Sequence, residues 1–432
     1  MSTASNGGSD LRGPIAFLAG GILGAAIFAL GSTGTRGPGA ADLRAYAEVR
    51  DLVEDGFVES RDREELLESA LVGMVTELDP YSRFYSGEDL RRVERSTTGT
   101  YLGLGLILRW PFDDGVVLFA LPGSPAAEAG LAPGDRLRSI DSVHLADLPP
   151  GGVEQRLGQL GPQPVALAVV APDGSERALE LTPAEVVDPT VRHVGLLDEG
   201  IGYLAITSFS RRTVEEFDAA VLGLERSGLE ALLVDLRGNP GGVLRAATDI
   251  ANRFVAEGPL VTTHTREGVR TTEAVSEEAG LEGLPLLVLV DSDSASASEV
   301  LAGALQDHRA AVLVGMSTYG KGTVQTLVPT DYPEGIVKVT TAYYSTPAGR
   351  SIDRHYRAGE AETALTPDLL VPLDEDQRTD LRHFLASHSP PPELADAVAE
   401  LRLEAGLPGS TRPDHDPQLE AALGLLAQGL PR

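Results

Sequence analysis

Serines occupy every second position between residues 292 and 298, in the run Asp-Ser-Asp-Ser-Ala-Ser-Ala-Ser-Glu that begins at Asp291. An apolar strand is predicted just before this run, and a helix is predicted from about Ala295 to His308. A serine at such a strand-to-helix turn is exposed, and the N-terminus of the helix favours a developing negative charge. The run therefore indicates a nucleophile, although any one of these serines taken alone is more simply a helix cap.

Lys321 stands between two glycines, Gly320 and Gly322, shortly after a predicted apolar strand. A lysine acts as a general base only where its surroundings favour the neutral amine, and flanking glycines let the neighbouring backbone close over it. The spacing from Gly315 to Lys321 is near that of a phosphate-binding loop, but Gly322 stands where that loop requires a serine or threonine. The segment therefore fails as a nucleotide site, and Lys321 becomes a candidate proton acceptor.

A third segment, residues 235 to 242, reads Asp-Leu-Arg-Gly-Asn-Pro-Gly-Gly between a predicted strand and a predicted helix. Backbone amides at Gly241 or Gly242 can donate hydrogen bonds to a negatively charged oxygen as it forms on a substrate. A tight turn with no chemical role is the alternative. Each of the three segments is weak by itself, and together they are far more specific.

The periodicity of apolar residues predicts the elements before these segments. Residues 41 to 78 are predicted as helix, which Asp79 and Pro80 end because a residue before proline avoids helical angles. Residues 97 to 183 contain the short strands and turns of a small β-rich module.

The second half of the chain has a different pattern. From Gly200 onwards strands and helices alternate, which predicts an α/β core with residues 335 to 344 as its last strand. The tail after Val371 is acidic and is predicted to be helical. The nucleophile, the lysine and the glycine pair all fall on connections within the predicted α/β core.

The composition limits what the chain can be. Its 432 residues are enough for two or three domains, and its net charge of −29 is the opposite of what nucleic-acid binding requires. There are no cysteines, which excludes disulfides, zinc–thiolate sites and cysteine nucleophiles. No His-Glu-x-x-His motif occurs, so a zinc peptidase is a weak alternative, and we expect no metal or cofactor.

The N-terminal segment differs from the rest of the chain. Between Arg12 and Arg36 no residue is charged, and residues 15 to 30 are dense in apolar side chains. That is about the 20 residues that a helix needs to cross a bilayer. We expect an uncleaved membrane anchor, with a cleaved signal peptide as the alternative.

Taken together, these segments resemble peptidase family S41, the carboxyl-terminal processing (tail-specific) serine proteases. The resemblance covers about residues 45 to 425 and is carried by strings that look like the family's motifs. These strings are Gly73-Met74, residues 78–84, Gly123-Ser124-Pro125-Ala126, Ala129-Gly130-Leu131, Gly134-Asp135, residues 294–299, Gly320-Lys321-Gly322 with Gln325, Gly349-Arg350-Ser351-Ile352, Thr366-Pro367-Asp368 and Asp416-Pro417-Gln418-Leu419.

The resemblance implies a fold class and a domain order. The expected fold is an α/β protease core, rich in βαβ units and similar to ClpP and the crotonases, with an inserted β-rich PDZ domain, an N-terminal helical segment and one N-terminal transmembrane helix. The expected order is a short tail (1–13), a transmembrane anchor or signal segment (14–35), a helical region (41–95), the PDZ domain (97–183), the S41 peptidase core (184–372) and an acidic helical region (373–432).

The resemblance also implies roles for particular residues. The family's nucleophile falls on Ser296 and its general base on Lys321. The glutamine that orients the lysine falls on Gln325. Some members also use an aspartate in the helix after the serine, and this position falls on Asp307.

The reaction implied by the resemblance is acyl transfer without a metal or cofactor. Neutral Lys321 takes the proton of Ser296, which attacks the scissile carbonyl, and water then hydrolyses the acyl-enzyme. The oxyanion donors are expected to be the amide of Ala297 and an amide from Gly241 or Gly242.

The PDZ domain of such a protease is expected to bind the C-terminal carboxylate of a protein substrate, which it adds as a strand. The loop implied for this contact consists of Tyr101, Leu102, Gly103, Leu104 and Gly105. The expected partners are protein substrates with exposed C-termini and the membrane, and not nucleic acid. The family leaves a homo-oligomer or an adaptor protein open. The expected location is the periplasmic or extracytoplasmic side of the cell envelope, with the N-terminal helix in the inner membrane.

Three alternatives remain at this point. The chain could be a catalytically silent PDZ scaffold, a Ser-His-Asp hydrolase that uses His308, or an acyl-CoA enzyme of the crotonase type. Intact Ser296, Lys321 and Gln325 disfavour the scaffold. Adjacent residues on a helix do not face the same way, which disfavours a pair made of Asp307 and His308.

Overall fold

The computed structural model describes residues 40–109, 114–197, 200–273, 280–331, 334–354, 364–407, 409 and 412–428. The chain divides into two compact units, Met1–Pro80 and Tyr81–Arg432. The expected tail (1–13) and the expected membrane segment (14–35) lie outside the described residues. Within those described ranges, no helix is both long enough and apolar enough to cross a bilayer.

The first unit contains two helices, α1 (Ala40–Gly56) and α2 (Arg63–Thr76). The prediction of continuous helix over residues 41 to 78 is therefore wrong. Asp62 begins the second helix, because its side chain accepts a hydrogen bond of 2.9 Å from the amide of Glu64. Apolar residues recur at helical spacing on both sides of this cap, so periodicity alone does not show the break.

The second unit begins with strand β1 (Arg83–Tyr85) and helix α3 (Gly87–Thr98). Apolar periodicity does not predict α3, because most of its residues are polar or charged, although most of it lies in the helical region 41–95 that the resemblance implies. The helix ends at Gly99, which adopts the left-handed conformation that stops many helices.

The β-rich module comes next and has its own hydrophobic core. Its elements are β2 (Thr100–Gly103), β3 (Leu106–Leu108), β4 (Val117–Ala120), α4 (Pro125–Glu128), β5 (Arg136–Ile140), β6 (Val143–His144), α5 (Gly152–Gly158), β7 (Val165–Val170), β8 (Glu176–Leu181) and β9 (Ala184–Val187). The strands pair in the orders β6-β5-β7-β8, β2-β9 and β3-β4. The Ser124 side chain caps α4 by accepting a hydrogen bond from the amide of Ala127.

The remaining elements alternate strands with helices. In chain order they are β10 (Val191–Leu196), β11 (Ile201–Ile206), α6 (Thr213–Arg226), β12 (Ala231–Asp235), α7 (Leu244–Ala251), β13 (Pro259–Thr265), β14 (Gly268–Glu273), β15 (Leu286–Val290), α8 (Ala297–Asp307), β16 (Val312–Gly315), β17 (Thr323–Asp331), β18 (Glu334–Ser345), β19 (Leu369–Leu370), α9 (Glu375–Ala386), α10 (Ala395–Glu404) and α11 (Pro417–Gln428). Six of the strands form a sheet in the order β10-β11-β12-β15-β16-β19, in which only β10 runs antiparallel to its neighbour.

Both faces of the six-stranded sheet are buried. On one face, Val234 and Val288 belong to the hydrophobic core that also contains residues of α6, α7 and α8. On the other face, Leu233 and Leu287 pack with residues of α9 and α11. Parallel strands covered on both faces read as continuous apolar runs, which is why β12 and β15 are visible in the sequence. The predicted α/β core is confirmed at this level.

A second sheet lies outside that prediction. It is antiparallel, in the order β1-β18-β13-β14, with β17 also paired to β18. The assignment of residues 335 to 344 to the α/β sheet is therefore wrong, because they belong to β18. The apolar pattern of a strand does not show which strand it pairs with. The pairing of Thr323 with Tyr343 places the start of β17, just after Lys321, against the end of β18.

The acidic C-terminal region is divided between the core and the module. Helices α9 and α11 pack on the six-stranded sheet, whereas α10 packs on the β-rich module. Val398 of α10 joins a cluster with Leu118 and Phe119 of β4. Arg109 also donates a hydrogen bond of 3.0 Å to the carbonyl of Leu401. The C-terminal helices therefore connect the module to the core.

Asp188 joins four segments where the module meets the core. It pairs with Arg95 of α3 at 2.7 Å, with Arg192 of β10 at 3.1 Å and with His388 after α9 at 2.9 Å. Burial acts to raise the pKa of Asp188, but the His388 contact and the two arginine charges hold it well below its ordinary value. The buried carboxylate therefore depends on all three partners.

His193 in this region makes the stability of the protein sensitive to acid. Burial lowers the pKa of its imidazole to about 4, so the folded state binds a proton more weakly than the unfolded chain, whose histidine titrates near 6.5. Its contribution to stability is present above pH 6.5 and is lost as the pH falls towards 4. Because His193 has a φ of 56°, asparagine is the substitution that best tolerates its backbone. We expect His193→Asn to remove about 2 kcal/mol of the stability change between pH 7 and pH 5.

The measurement is urea unfolding of wild type and variant at both pH values. His388 has a lowered pKa as well and is present in both proteins, so its effect cancels. An equal loss of stability in the two proteins would contradict the assignment to His193.

Candidate active site

The outer serines of the run hold the loops together. The Ser294 hydroxyl donates to the carbonyl of Leu236 at 2.8 Å, and the Ser298 hydroxyl donates to the carbonyl of Asn239 at 3.0 Å. Both serines are fully buried. They tie the turn after β15 to the turn after β12, and neither is accessible to a substrate.

Ser296 differs from these two serines in exposure and in backbone. It is partly exposed, and its φ of 58° and ψ of −114° are rare for a residue with a side chain. Such strained positions concentrate at functional sites, where the surrounding structure holds them. Ser296 directly precedes α8, so the positive end of the helix dipole lies beside its side chain.

Glu299 is the group that supports this turn. It is fully buried, and one carboxylate oxygen accepts hydrogen bonds of 2.8 Å from the amides of both Ser296 and Lys321. The other oxygen accepts from the Thr318 hydroxyl at 2.6 Å and the Gly320 amide at 2.7 Å. Burial raises the pKa of Glu299, and these four hydrogen bonds oppose that rise. One buried carboxylate therefore binds the two predicted catalytic segments together.

Lys321 lies in the connection between β16 and β17. Its ammonium nitrogen is 4.8 Å from the centroid of the Tyr81 ring, which is a cation–π distance. The neighbouring Gly322 donates its amide to Asp353 at 3.0 Å and has no room for a side chain there. The connection is therefore held on both sides of the lysine.

Tyr344 makes a second link between the two segments. Its hydroxyl lies 3.0 Å from the carbonyl of Ser296 and also contacts the carbonyl of Lys321. Burial raises the pKa of Tyr344 well above its ordinary value, so the hydroxyl keeps the proton that it donates.

Removal of this hydroxyl should loosen the site without unfolding the protein. We expect Tyr344→Phe to lower kcat/KM for casein about tenfold, because two carbonyls lose the donor that they share. Tyr343→Phe, on the adjacent position of the same strand, is the matched control and should stay within about twofold of wild type. Equal activity of both variants in a casein assay would show that Tyr344 does not position the site.

The glycine segment after β12 packs directly against Ser296. A side-chain carbon on Gly241 would lie 2.8 Å from the Cβ of Ser296 and 3.0 Å from the amide of Ala297. A side-chain carbon on Gly242 would lie 2.0 Å from the carbonyl oxygen of Phe209. Their φ angles of 98° and 144° also favour glycine. Only glycines allow this close approach.

The two glycines differ as hydrogen-bond donors. The amide of Gly241 donates to the Asn239 side chain at 2.8 Å, so the expectation that it binds an oxyanion is not supported. Among the residues that the structure describes, the amides of Gly242 and Ala297 have no acceptor. These two amides remain as the candidate oxyanion donors.

Arg237 anchors the base of the same segment. It is fully buried and pairs with Asp235 at 2.6 Å and with Asp416 at 2.8 Å. It also donates to the Gln418 side chain at 3.1 Å, and the Tyr203 hydroxyl donates to Asp235 at 2.8 Å. Two strings that are 179 residues apart in sequence therefore meet behind the glycine segment.

Other predicted residues lie elsewhere or make different contacts. The Gln325 amide donates to the Thr323 hydroxyl at 2.8 Å. Asp307 lies at the far end of α8, about 16 Å along the helix from Ser296, and its carboxylate binds Arg350 and the amide of Ala348. The structure therefore does not bring Asp307 to the nucleophile, and the Asp307 side chain is only 7% exposed.

His308 does not reach the serine either. It follows α8 directly, and its ring nitrogen lies 2.8 Å from the carbonyl of Pro259. The geometry gives no support to a Ser-His-Asp site. In the described ranges, no group of three histidine, aspartate or glutamate side chains is arranged to hold a metal ion.

The loop proposed to bind peptides lies at the start of the β-rich module. Tyr101, Leu102 and Gly103 belong to β2, which pairs with β9, and Leu104 and Gly105 follow. The Tyr101 ring covers the position where Gly103 would carry a side chain, and Arg95 stacks on that ring at 4.2 Å.

Several supporting residues were missed in the sequence. Glu299, Asn239 and Tyr344 stand inside or near the motif strings but had no predicted role. The signal for Glu299 is a charged residue followed by Val300 and Leu301 at the start of an otherwise apolar helix, which indicates a buried carboxylate with partners. No comparable local signal marks Tyr344, because its partners come from two distant segments.

Comparisons with known proteins identify the same two parts of the chain. The family model for peptidase family S41 matches residues 200–371, and a PDZ-domain model matches residues 117–169. A carboxy-terminal-processing protease of Bartonella bacilliformis is 32% identical over 345 residues, which cover 77% of this chain and 76% of the relative.

Two further relatives agree. A carboxyl-terminal-processing protease of Synechocystis is 35% identical over 302 residues, which cover 68% of this chain and 70% of the relative. The carboxy-terminal processing protease CtpB of Bacillus subtilis is 34% identical over 356 residues, which cover 78% and 72% respectively. The chain therefore belongs to peptidase family S41 and is a serine endopeptidase of the carboxy-terminal-processing type with a PDZ domain.

Proposed function

We propose that the chain cleaves proteins near their C-termini through an acyl-enzyme on Ser296, with Lys321 as the general base. The observation that carries this proposal is the pair of hydrogen bonds that the Glu299 carboxylate accepts from the amides of these two residues. A nucleophile and a base must hold their mutual geometry to act as one unit. A fully buried carboxylate that binds both backbones supplies that rigidity.

The amino-acid usage of the chain supports lysine as the base. Among the 35 basic residues, Lys321 and Lys338 are the only lysines, and the others are arginines. An arginine cannot give up its proton in a protein, whereas a lysine can. A lysine at position 321, in a chain that otherwise uses arginine for positive charge, fits a requirement for a neutral amine.

The proposed reaction has two halves. Lys321 takes the proton of Ser296 as the serine oxygen attacks the scissile carbonyl, and the resulting ammonium gives that proton to the departing amine. Lys321 then takes a proton from the water that attacks the acyl-enzyme, and it gives that proton to the Ser296 oxygen as the new C-terminal end of the substrate leaves. The amides of Gly242 and Ala297 stabilise the negatively charged oxygen in both halves, assisted by the positive end of the α8 dipole. In this scheme Gln325 helps to orient Lys321, and Asp307 takes no direct part.

Recruitment of the substrate is assigned to the PDZ domain. In this proposal the loop from Tyr101 to Gly105 binds the C-terminal carboxylate and presents the chain to the core as an added strand. The packing of α10 on this domain and of α9 and α11 on the core supports a fixed delivery route. The proposal also includes the domain division into regions 41–95, 97–183, 184–372 and 373–432. It further includes the likeness of the core to ClpP and the crotonases.

Placement in the cell envelope is a further part of the proposal. The uncharged residues between Arg12 and Arg36 would hold the chain in the inner membrane, with the protease on the extracytoplasmic side. A homo-oligomer or an adaptor protein is compatible with this arrangement.

The test uses the full chain and casein, with EDTA in every reaction. Wild type is compared with Ser296→Ala, Lys321→Arg and the matched control Lys338→Arg. We expect cleavage by wild type and by the control, and a loss of at least 1,000-fold in the other two variants. Lys321→Arg keeps a long basic side chain, but an arginine stays protonated and therefore cannot accept the proton of Ser296.

Activity of Lys321→Arg near that of wild type would refute the proposed base. Failure of the wild-type chain to cleave casein or a set of unstructured proteins with free C-termini would count against the proposed substrate class. Melting temperatures of all four proteins show whether a lost activity reflects a lost fold.

A further inference from the structure

A cavity of about 240 Å³ lies beside the glycine segment, on the side of the sheet that α9 covers. Its lining residues include Gly238, Asp291, Met316, Leu373, Leu381 and Leu385, together with Arg378 and Arg382. Gly238 donates its amide to Asp291 at 2.9 Å, so the cavity wall is continuous with the loops that carry the nucleophile. Its volume is below the roughly 300–1,000 Å³ of pockets for drug-sized ligands, and suits one or two amino-acid residues.

The two arginines of α9 are the unusual feature of this cavity. Arg378 and Arg382 are one helical turn apart, and neither has an ion-pair or hydrogen-bond partner for its guanidinium among the described residues. The Nε of Arg378 is buried without an acceptor. Two like charges at this spacing repel each other, and a buried donor without a partner costs stability. Arg382 is exposed to water, and an anion in the cavity would give the buried Arg378 Nε an acceptor and relieve the repulsion between the two charges.

The rest of the lining restricts what the anion can be. The walls are mainly apolar, with leucines from α9 and from the segment before it. The Asp291 carboxylate already accepts hydrogen bonds from the amides of Gly238, Asp293 and Ser294. The carboxylates of Asp291 and Asp293 would repel a ligand that carries several negative charges. A suitable ligand therefore has one anionic end, directed to α9, and one apolar group.

We propose that this cavity binds the C-terminal residue of a peptide. The α-carboxylate pairs with Arg378 and Arg382, and the terminal apolar side chain fills the space between the leucines. The inference rests on the proposed function, because each cut near a C-terminus leaves two fragments with free C-termini, of which one is newly formed. One is the new end of the shortened protein, and the other is the end of the released tail.

The test uses the full chain with Ser296→Ala, so that no cleavage occurs. The probe is acetyl-Ala-Ala-photoleucine, whose terminal residue cross-links to its surroundings under light, as the free acid and as the amide. We expect the free acid to label residues 373–386, with at least tenfold less labelling by the amide. In the Arg378→Gln/Arg382→Gln variant the same labelling should fall at least tenfold.

A matched control, Arg226→Gln/Arg266→Gln, removes two exposed arginines elsewhere in the chain, so that its net charge equals that of the cavity variant. The control should label like the parent chain. Because the cavity variant removes a repulsive pair, we expect its melting temperature to be at least that of the parent, and this measurement shows whether unfolding explains weak labelling. Equal labelling by acid and amide, equal labelling of the cavity variant, or cross-links confined to the PDZ loop would overturn the proposal.

The source of the ligand is identified by competition. Casein digested to completion by the wild-type chain is separated into shortened protein and small peptides, and each fraction is added to the labelling reaction. Competition by either fraction supports the proposal and names the end that binds, whereas competition by neither overturns it. Cleavage of casein itself tests the proposed function, so the two can fail separately.

Discussion

Glu299→Gln is expected to lower kcat/KM for casein about 100-fold while leaving the protein folded. Glutamine has the same size, but one of its two ends is a donor. Each carboxylate oxygen of Glu299 accepts two hydrogen bonds, so the NH₂ group must face at least one backbone amide wherever it points. That conflict displaces Ser296, Lys321 or Gly320, and a displacement of about 1 Å is enough for a loss of this size.

The control for this variant is Glu225→Gln, which removes a carboxylate from the exposed end of α6. It should have wild-type activity. Labelling of Ser296 by a fluorophosphonate separates misalignment from unfolding: a folded Glu299→Gln chain should react slowly, and urea should abolish the remaining reaction. Wild-type activity of Glu299→Gln would show that the two hydrogen bonds to the catalytic segments carry no function.

Arg237→Met is expected to destabilise the protein by about 3–5 kcal/mol. The substitution leaves two carboxylates, Asp235 and Asp416, in a buried space without their shared cation. The pKa of Asp416, which burial acts to raise and Arg237 holds below its ordinary value, should rise in the variant. The free energy of unfolding in urea measures the loss, and casein cleavage should fall with it because the glycine segment loses its anchor.

A double-mutant cycle separates the lost ion pair from lost packing. Asp416→Asn should cost clearly less in the Arg237→Met background than in wild type, since the cation that it would lose is already absent. Arg226→Met on the surface of α6 is the matched control and should change stability by less than about 0.5 kcal/mol. Additive effects of the two buried substitutions would contradict the proposed pairing.

The sequence predicts the residues proposed to carry out the reaction better than it predicts the residues that hold them in place. The segments containing Ser296, Lys321 and Gly242 are each local, and a strand-to-turn signal identifies each. Glu299 acquires its role only when residues 318–321 fold back onto α8, a contact about 20 residues away in sequence. Which of the two glycines donates depends on where the Asn239 side chain points, and this is a tertiary property.

The fold is also predicted only in part from the sequence. The strands of the six-stranded sheet are visible because both of its faces are buried. The break between α1 and α2, the polar helix α3 and the partners of β18 are not visible, because they depend on a cap, on low apolar content and on long-range pairing. The contacts of Asp307 could not be predicted either, because its partner Arg350 comes from a loop 43 residues later in the sequence.

The separation of 179 residues between Arg237 and Asp416 has a consequence for when the active site can form. Arg237 leaves the ribosome 179 residues before its partner, a delay of roughly 10 to 40 s at ordinary rates of synthesis. During that time Arg237 has Asp235 but not Asp416 as a partner, and α11 is not yet present to cover the sheet. We therefore expect a nascent chain to complete the support of its oxyanion site only after Asp416 has been synthesised and has reached Arg237.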